Sequence, residues 1–170
     1  MTRSETWLDK EDKVCRSDRI KRLNWLANKT PKKENLVFLG GETSKYLYDE
    51  ARYCFVYAQF LATIVLGFAF IEHTLAALFY AAGRDDLERA NVSLLLKEAF
   101  NQKLISKTEY NNLNRAKHIR NPITHFRKPL DDDTVSYRSL KQNEFAYGVI
   151  ERDAKHVMRT VFHLLNKNAV

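Results

Sequence analysis

Glycine and proline are both scarce in this chain, five and three in 170 residues. Sandwiches and barrels need frequent tight turns, so the scarcity argues against them and for long helices. Cysteine is scarcer still. Cys15 and Cys54 alone cannot form a disulfide framework, and they fit a reducing cytoplasm with both thiols inert. The start, Met1-Thr2-Arg3-Ser4-Glu5, has no apolar core, so no secretory signal is expected there. There is no internal repeat, no low-complexity tract, no glycine-rich phosphate loop and no G-x-S-x-G. Phosphate-loop chemistry and Ser/His/Asp chemistry therefore have no support. Metal ligation fares no better. His156 and His163 lie seven apart on one helix, about 10 Å along its axis, too far to share a zinc. Asp131-Asp132-Asp133 reads as a solvated loop rather than a magnesium site. No metal and no cofactor is expected.

The chain is 45% apolar and 12% aromatic, which describes a globular protein with a sizeable core. Its longest uncharged run is Tyr53 to Ile71. That length satisfies a membrane span. However, Glu72 and His73 follow at once, and the apolar pattern continues through Tyr80. A charged pair in the middle of a long helix suits a protein core better than lipid. The expectation is a central helix from Thr43 or Ser44 to near Gly83, buried on nearly all sides. An anchor at residues 53–71 is the less favoured alternative. Glu72 borders the stripe Ile64, Phe68, Ile71, Leu75; a buried acid there needs a partner.

Other boundaries follow from caps and breakers. A short helix is expected over Asp18 to Leu26. A loop over Thr30 to Glu42 is opened by Pro31 and closed by Gly40-Gly41, with Leu36 to Leu39 extended. Asp85-Asp86-Leu87-Glu88 resembles a capping box, and its helix could break near Asn91-Val92-Ser93. Ser106-Lys107-Thr108-Glu109 is a second such box. A short strand is expected at Thr134–Tyr137, and Ser139-Leu140-Lys141-Gln142 is read as the cap of the last helix. Residues 1–43 form an extension and residues 44–170 an all-α domain.

Charge is concentrated in one segment. Lys103 to Lys128 holds seven Lys/Arg against the single acid Glu109, in a chain of net charge +7. A cleft with that field would attract a polyanion. Within it lies Arg120-Asn121-Pro122-Ile123-Thr124-His125. Histidine exchanges protons near neutrality. Arginine presents a permanently charged fork matched to phosphate oxygens. Asparagine can donate to an oxyanion or fix a histidine tautomer. On an unbroken helix Arg120 and His125 would diverge by about 140°. Pro122 is expected to break the helix at Asn121-Pro122 and turn both toward one cleft. Arg115, Lys117, His118, Arg127 and Lys128 are candidate phosphate contacts.

These residues resemble the HEPN superfamily (higher eukaryotes and prokaryotes nucleotide-binding). The likeness covers about residues 44–165. It consists of an amphipathic helix at Leu94 to Phe100, the connection Leu104-Ile105-Ser106, a helix from Tyr110 to His118, and Arg120-Asn-x-x-x-His125. It implies a mainly helical bundle acting as a metal-independent endoribonuclease, as in toxin–antitoxin pairs, phage-abortive systems and CRISPR effectors. Many relatives have lost catalysis and serve as binding or dimerisation modules.

On this reading the RNA 2′-hydroxyl is the nucleophile. His125 moves a proton, Arg120 stabilises the phosphorane, and Asn121 orients or donates. Glu72 is a further candidate for the site. One motif supplies one histidine, so a homodimer with facing motifs is expected. RNA is the expected partner and an antitoxin protein a candidate one. The rivals are a non-catalytic helical interaction or nucleotide-binding module and a membrane-associated protein.

Overall fold

The computed structural model describes residues 1–30, 32 and 36–168. Among them every regular element is helical. The order is α1 (Arg3–Lys29), α2 (Gly41–Val56), α3 (Phe60–Ala81), a single 3-10 turn (Asp85–Leu87), α4 (Val92–Asn101), α5 (Lys107–Thr124), α6 (Val135–Gln142) and α7 (Ala146–Lys167). The protein is an all-α bundle around one apolar helix.

That helix is α3. It packs against α2, α4, α5 and α7. The expected stripe Ile64, Phe68, Ile71, Leu75 is fully enclosed, together with Phe60, Phe70 and Phe79. α3 is long and apolar enough to cross a membrane, with mean hydropathy 1.8, yet 44% of its most apolar window is buried inside the protein. Few of its residues are exposed, among them Leu61 and Tyr80. One copy of the chain thus covers most of its circumference, so α3 does not itself call for a second copy.

The single helix expected from Thr43 or Ser44 to Gly83 is instead two. α2 ends at Val56, Ala58 takes a left-handed backbone (φ +61°), and α3 starts at Phe60. Backbone bonds from Tyr57 to the Tyr53 carbonyl (3.1 Å) and from Gln59 to the Cys54 carbonyl (2.8 Å) close the end of α2. No glycine or proline marks the break. Tertiary packing of α2 onto α3 outweighs a left-handed alanine that costs about 1–2 kcal/mol.

Gly67 sits where α3 meets α7. A Cβ built there would lie 2.9 Å from Val157 Cγ1, and Val157 is completely buried. We predict that Gly67→Ala lowers stability by about 1–3 kcal/mol, the overpacking cost exceeding the gain in helix propensity. Chemical denaturation would measure it, and a stabilised variant would show that α7 yields easily.

α1 is far longer than the expected Asp18–Leu26 helix. Thr2 caps it, accepting from Glu5 N (3.2 Å), while Glu5 Oε2 accepts from Thr2 N. Leu26 is its buried residue, whereas Trp7, Leu8 and Val14 are exposed. Without a core-facing stripe its first half gives no helical periodicity to read. Trp25 anchors its far end against Phe55, ring centroids 5.0 Å apart.

Later boundaries also shift. Asp85 forms no capping box: it is the first residue of the 3-10 turn, which has no side-chain cap, and the helix starts only after Asn91, which caps α4 by accepting from Leu94 N. Residues Leu36–Phe38 form no strand, and Pro31 lies outside the described residues. Thr134–Tyr137 is not a strand. Thr134 accepts from Tyr137 N (3.2 Å) and caps α6, so its hydroxyl outweighs the strand preference of Val135 and Tyr137. Ser139 is not the cap of the last helix. It lies inside α6, and its hydroxyl donates to the Glu144 carbonyl. α7 starts after Phe145 without a side-chain cap. α6 is fixed to α7 by Arg138, which donates to both Asp153 oxygens at 2.7 and 2.8 Å.

Candidate functional site

α5 carries the Arg-Asn-x-x-x-His segment. Ser106 and Glu109 form the expected capping box: Glu109 N donates to Ser106 Oγ (3.2 Å), and Ser106 N donates to Glu109 Oε2 (2.6 Å). Leu113, Ala116 and Ile119 bury one face of α5. That seating turns Asn112, Arg115 and His118, three residues apart, to the exposed face.

Arg120 points inward from the edge of this face. Its Nη2 donates to Glu72 Oε2 at 3.2 Å, and its guanidinium lies over the Phe68 ring with Cζ 5.0 Å from the centroid. Glu72 thus has the partner its position requires, across the α3–α5 contact. Both side chains keep partial exposure, 22% for Arg120 and 29% for Glu72. Glu72 also lines a cleft of about 580 Å³ with His73, Tyr80 and Glu88. Arg120, Asn121 and His125 are not among the residues lining that cleft.

The helix does not break at Asn121-Pro122. Pro122 is accommodated inside α5, which continues to Thr124. Proline withholds one backbone donor, but His125 N still closes on the Asn121 carbonyl at 2.9 Å. The departure from helical geometry falls on His125 itself, the C-cap, with φ −126° and ψ 133°. The 140° divergence of an unbroken helix therefore does not fix the His125 direction. His125 is exposed, and its ring makes no hydrogen bond to another described residue. Asn121 is half-buried.

The other basic candidates are spread along α5 and the following loop. Arg115 and His118 are exposed. Lys117 Nζ lies 3.3 Å from Ser93 Oγ on α4. Arg127 pairs with Asp133 at 3.2 Å, and Lys128 donates its backbone N–H to Asp131 Oδ2. Asp131 and Asp133 are thereby used within their own loop. Among the described residues no cluster of His, Cys, Asp or Glu has a metal-holding arrangement. Both cysteines are free, and their pKa values are raised, Cys15 by its bond to Glu11 and Cys54 by burial.

A constellation that the sequence reading passed over lies between α5 and α7. A groove of about 390 Å³ is lined by Glu109, Asn112, His156, Arg159, Thr160 and His163, among others. The α7 members fall at i, i+3, i+4 and i+7, one helix face. In the sequence this spacing is visible, but His156 and His163 read there only as a pair too far apart for a metal. Burial pushes the Glu109 carboxyl up, but hydrogen bonds from Ser106, His163 and Lys167 outweigh it and bring it down to about 2. A depressed carboxyl stabilises above its unfolded pKa and loses that contribution as pH falls through the folded value. We predict that Glu109→Gln lowers stability at neutral pH by on the order of 2 kcal/mol, after allowing for solvent screening. The difference from the parent protein should close between pH 4.5 and about 2. Acid titration of unfolding midpoints for both proteins would measure it; a constant difference would refute the linkage.

No family model, no curated protein and no solved structure matches the chain. The functional reading therefore stands on the residues alone.

Proposed function

We propose that this protein is a metal-independent endoribonuclease of the HEPN type, cytoplasmic, acting as a toxin or phage-defence effector. The observation that carries the reading is His125. It is exposed at the end of α5, its ring hydrogen-bonded to no other described residue, five residues beyond Arg120 and inside the most basic segment of the chain. In the proposed reaction the 2′-hydroxyl attacks the adjacent phosphorus and the 5′-oxygen leaves. His125 transfers a proton at one of these oxygens, Arg120 faces the charge on the phosphorane, and Asn121 orients or donates. Arg115, Lys117, His118, Arg127 and Lys128 hold neighbouring phosphates.

The Glu72–Arg120 pair fits a resting state in which the acid holds the guanidinium until a phosphate competes for it. Two motifs facing across a two-fold axis would supply both acid and base. The exposure of Phe126 (89%), next to His125 in the chain, and of Leu130 (64%) in the following loop supports an apolar contact there. An antitoxin protein could cover the same surface.

The test is cleavage of RNA by the purified protein in EDTA. Cleavage should persist and leave 2′,3′-cyclic phosphate ends, with specific activity falling on dilution below the dimer constant. Activity lost to chelator and restored by magnesium would overturn the mechanism. One observation favours a second reading. Arg120 is already tied to Glu72 and Phe68, as in a structural contact, which suits a non-catalytic helical interaction module. A well-folded protein that binds RNA or a protein partner without cutting would establish that reading instead.

A further inference from the structure

We infer that the groove between α5 and α7 is a second site, one that binds a small phosphomonoester through Arg159 and His163. The inference does not depend on RNA cleavage at Arg120 and His125.

The groove has the size of a small-ligand site at the lower end of the usual range, about 390 Å³. Its chemistry favours an anion. Among the described residues no carboxylate pairs with Arg159. The guanidinium instead rests on the Trp25 ring, with Cζ 5.5 Å from the centroid. Stacking uses the face of the guanidinium and leaves its edge, with the N–H fork, free for phosphate oxygens. Trp25 is itself wedged against Phe55, so the stack holds Arg159 in place.

His163 stands one turn beyond Arg159 on the same face of α7. Its Nε2 lies 2.9 Å from Glu109 Oε1. The contact fixes the ring in the groove beside Arg159. Glu109 would repel a phosphate if its charge were uncompensated. It is engaged by Lys167 Nζ (3.0 Å) and by the Ser106 N–H at the start of α5 as well as by His163. The other nearby acid, Asp153, is occupied by both arms of Arg138. Lys29 joins Arg159 and His163 around an adjoining cavity of about 320 Å³.

His156 reports on the local field. Its pKa is lowered, first by burial and then by the positive charges of Arg115 and Arg159. A neutral ring is consistent with its hydrogen bond. Nε2 lies 3.0 Å from the Asn112 carbonyl, which can only accept, so Nε2 carries the proton and Nδ1 is an acceptor. The groove therefore pairs the Arg159 guanidinium with one neutral acceptor. That combination suits a phosphate carrying a hydroxylated body such as a sugar.

The experiment uses the full chain with Trp7→Phe, which leaves Trp25 as the sole tryptophan. Ribose 5-phosphate, inorganic phosphate and ribose are titrated by calorimetry, with Trp25 emission recorded alongside. Both phosphates should bind and shift the emission, and ribose should not. Arg159→Leu should weaken ribose 5-phosphate by roughly 10- to 100-fold, the value of one charge-assisted contact. His163→Gln should weaken it by less. Both positions are exposed, so circular dichroism should show intact folds. Ribose binding as tightly as its phosphate, or full affinity in folded Arg159→Leu, would overturn the site. A 5′-phosphorylated oligonucleotide that binds through Arg159 more tightly than ribose 5-phosphate would overturn the small-ligand assignment.

Discussion

His125→Ala should lose RNA cleavage by about 10²- to 10⁴-fold, the usual contribution of a positioned acid or base. Its thermal midpoint should stay where it is. The ring is exposed and bonded to no described residue, so removing it empties no core position and orphans no partner. That separation makes His125 the decisive position. Arg120→Ala cannot play the same part, because it leaves Glu72 unpaired at the α3–α5 contact and should affect folding as well as cleavage. Glu72→Gln supplies the missing control. It removes the competing charge but keeps the shape. On the proposed mechanism it should leave cleavage intact or raise it, since Arg120 is released toward phosphate. A folded His125→Ala protein that cuts RNA at the parent rate would eliminate the assignment.

The largest expected loss of stability comes from Arg138→Met. Asp153 is only 2% exposed on α7, and among the described residues Arg138 alone donates to its two oxygens. Removing one member of such a pair leaves a buried charge without compensation and typically costs about 3–5 kcal/mol. For a chain of this size the melting temperature should fall by on the order of 10 °C. Adding Asp153→Asn to Arg138→Met should recover much of the loss, because the stranded charge is then gone. The double-mutant cycle of melting temperatures measures the coupling. An unchanged midpoint in Arg138→Met would show that water reaches Asp153 and that α6 is held to α7 by other contacts.

Several features of the fold were legible in the residues. The Ser106–Glu109 box and the buried stripe Ile64, Phe68, Ile71, Leu75 rest on interactions within a few residues or on one helix face. So did the need of Glu72 for a partner. Errors arose where the deciding contact is distant or absent. The first half of α1 buries nothing, so hydrophobic periodicity could not reveal it. Thr134–Tyr137 has the composition of a strand but lies where a capping hydroxyl and the Arg138–Asp153 pair demand a helix.

The site divides in the same way. The sequence by itself determined an all-helical chain, a basic segment and the residue types of the Arg-Asn-x-x-x-His motif, because composition and local spacing fix these. The tertiary structure decided that Pro122 stays inside α5 and that the chain leaves the helix only at His125. It decided that Arg120 turns to Glu72, 48 residues away in sequence. It also brought Glu109 of α5 and the Arg159–His163 face of α7 around one groove and set Trp25 of α1 against Arg159. Such encounters depend on how helices pack against α3, and no local pattern carries that information.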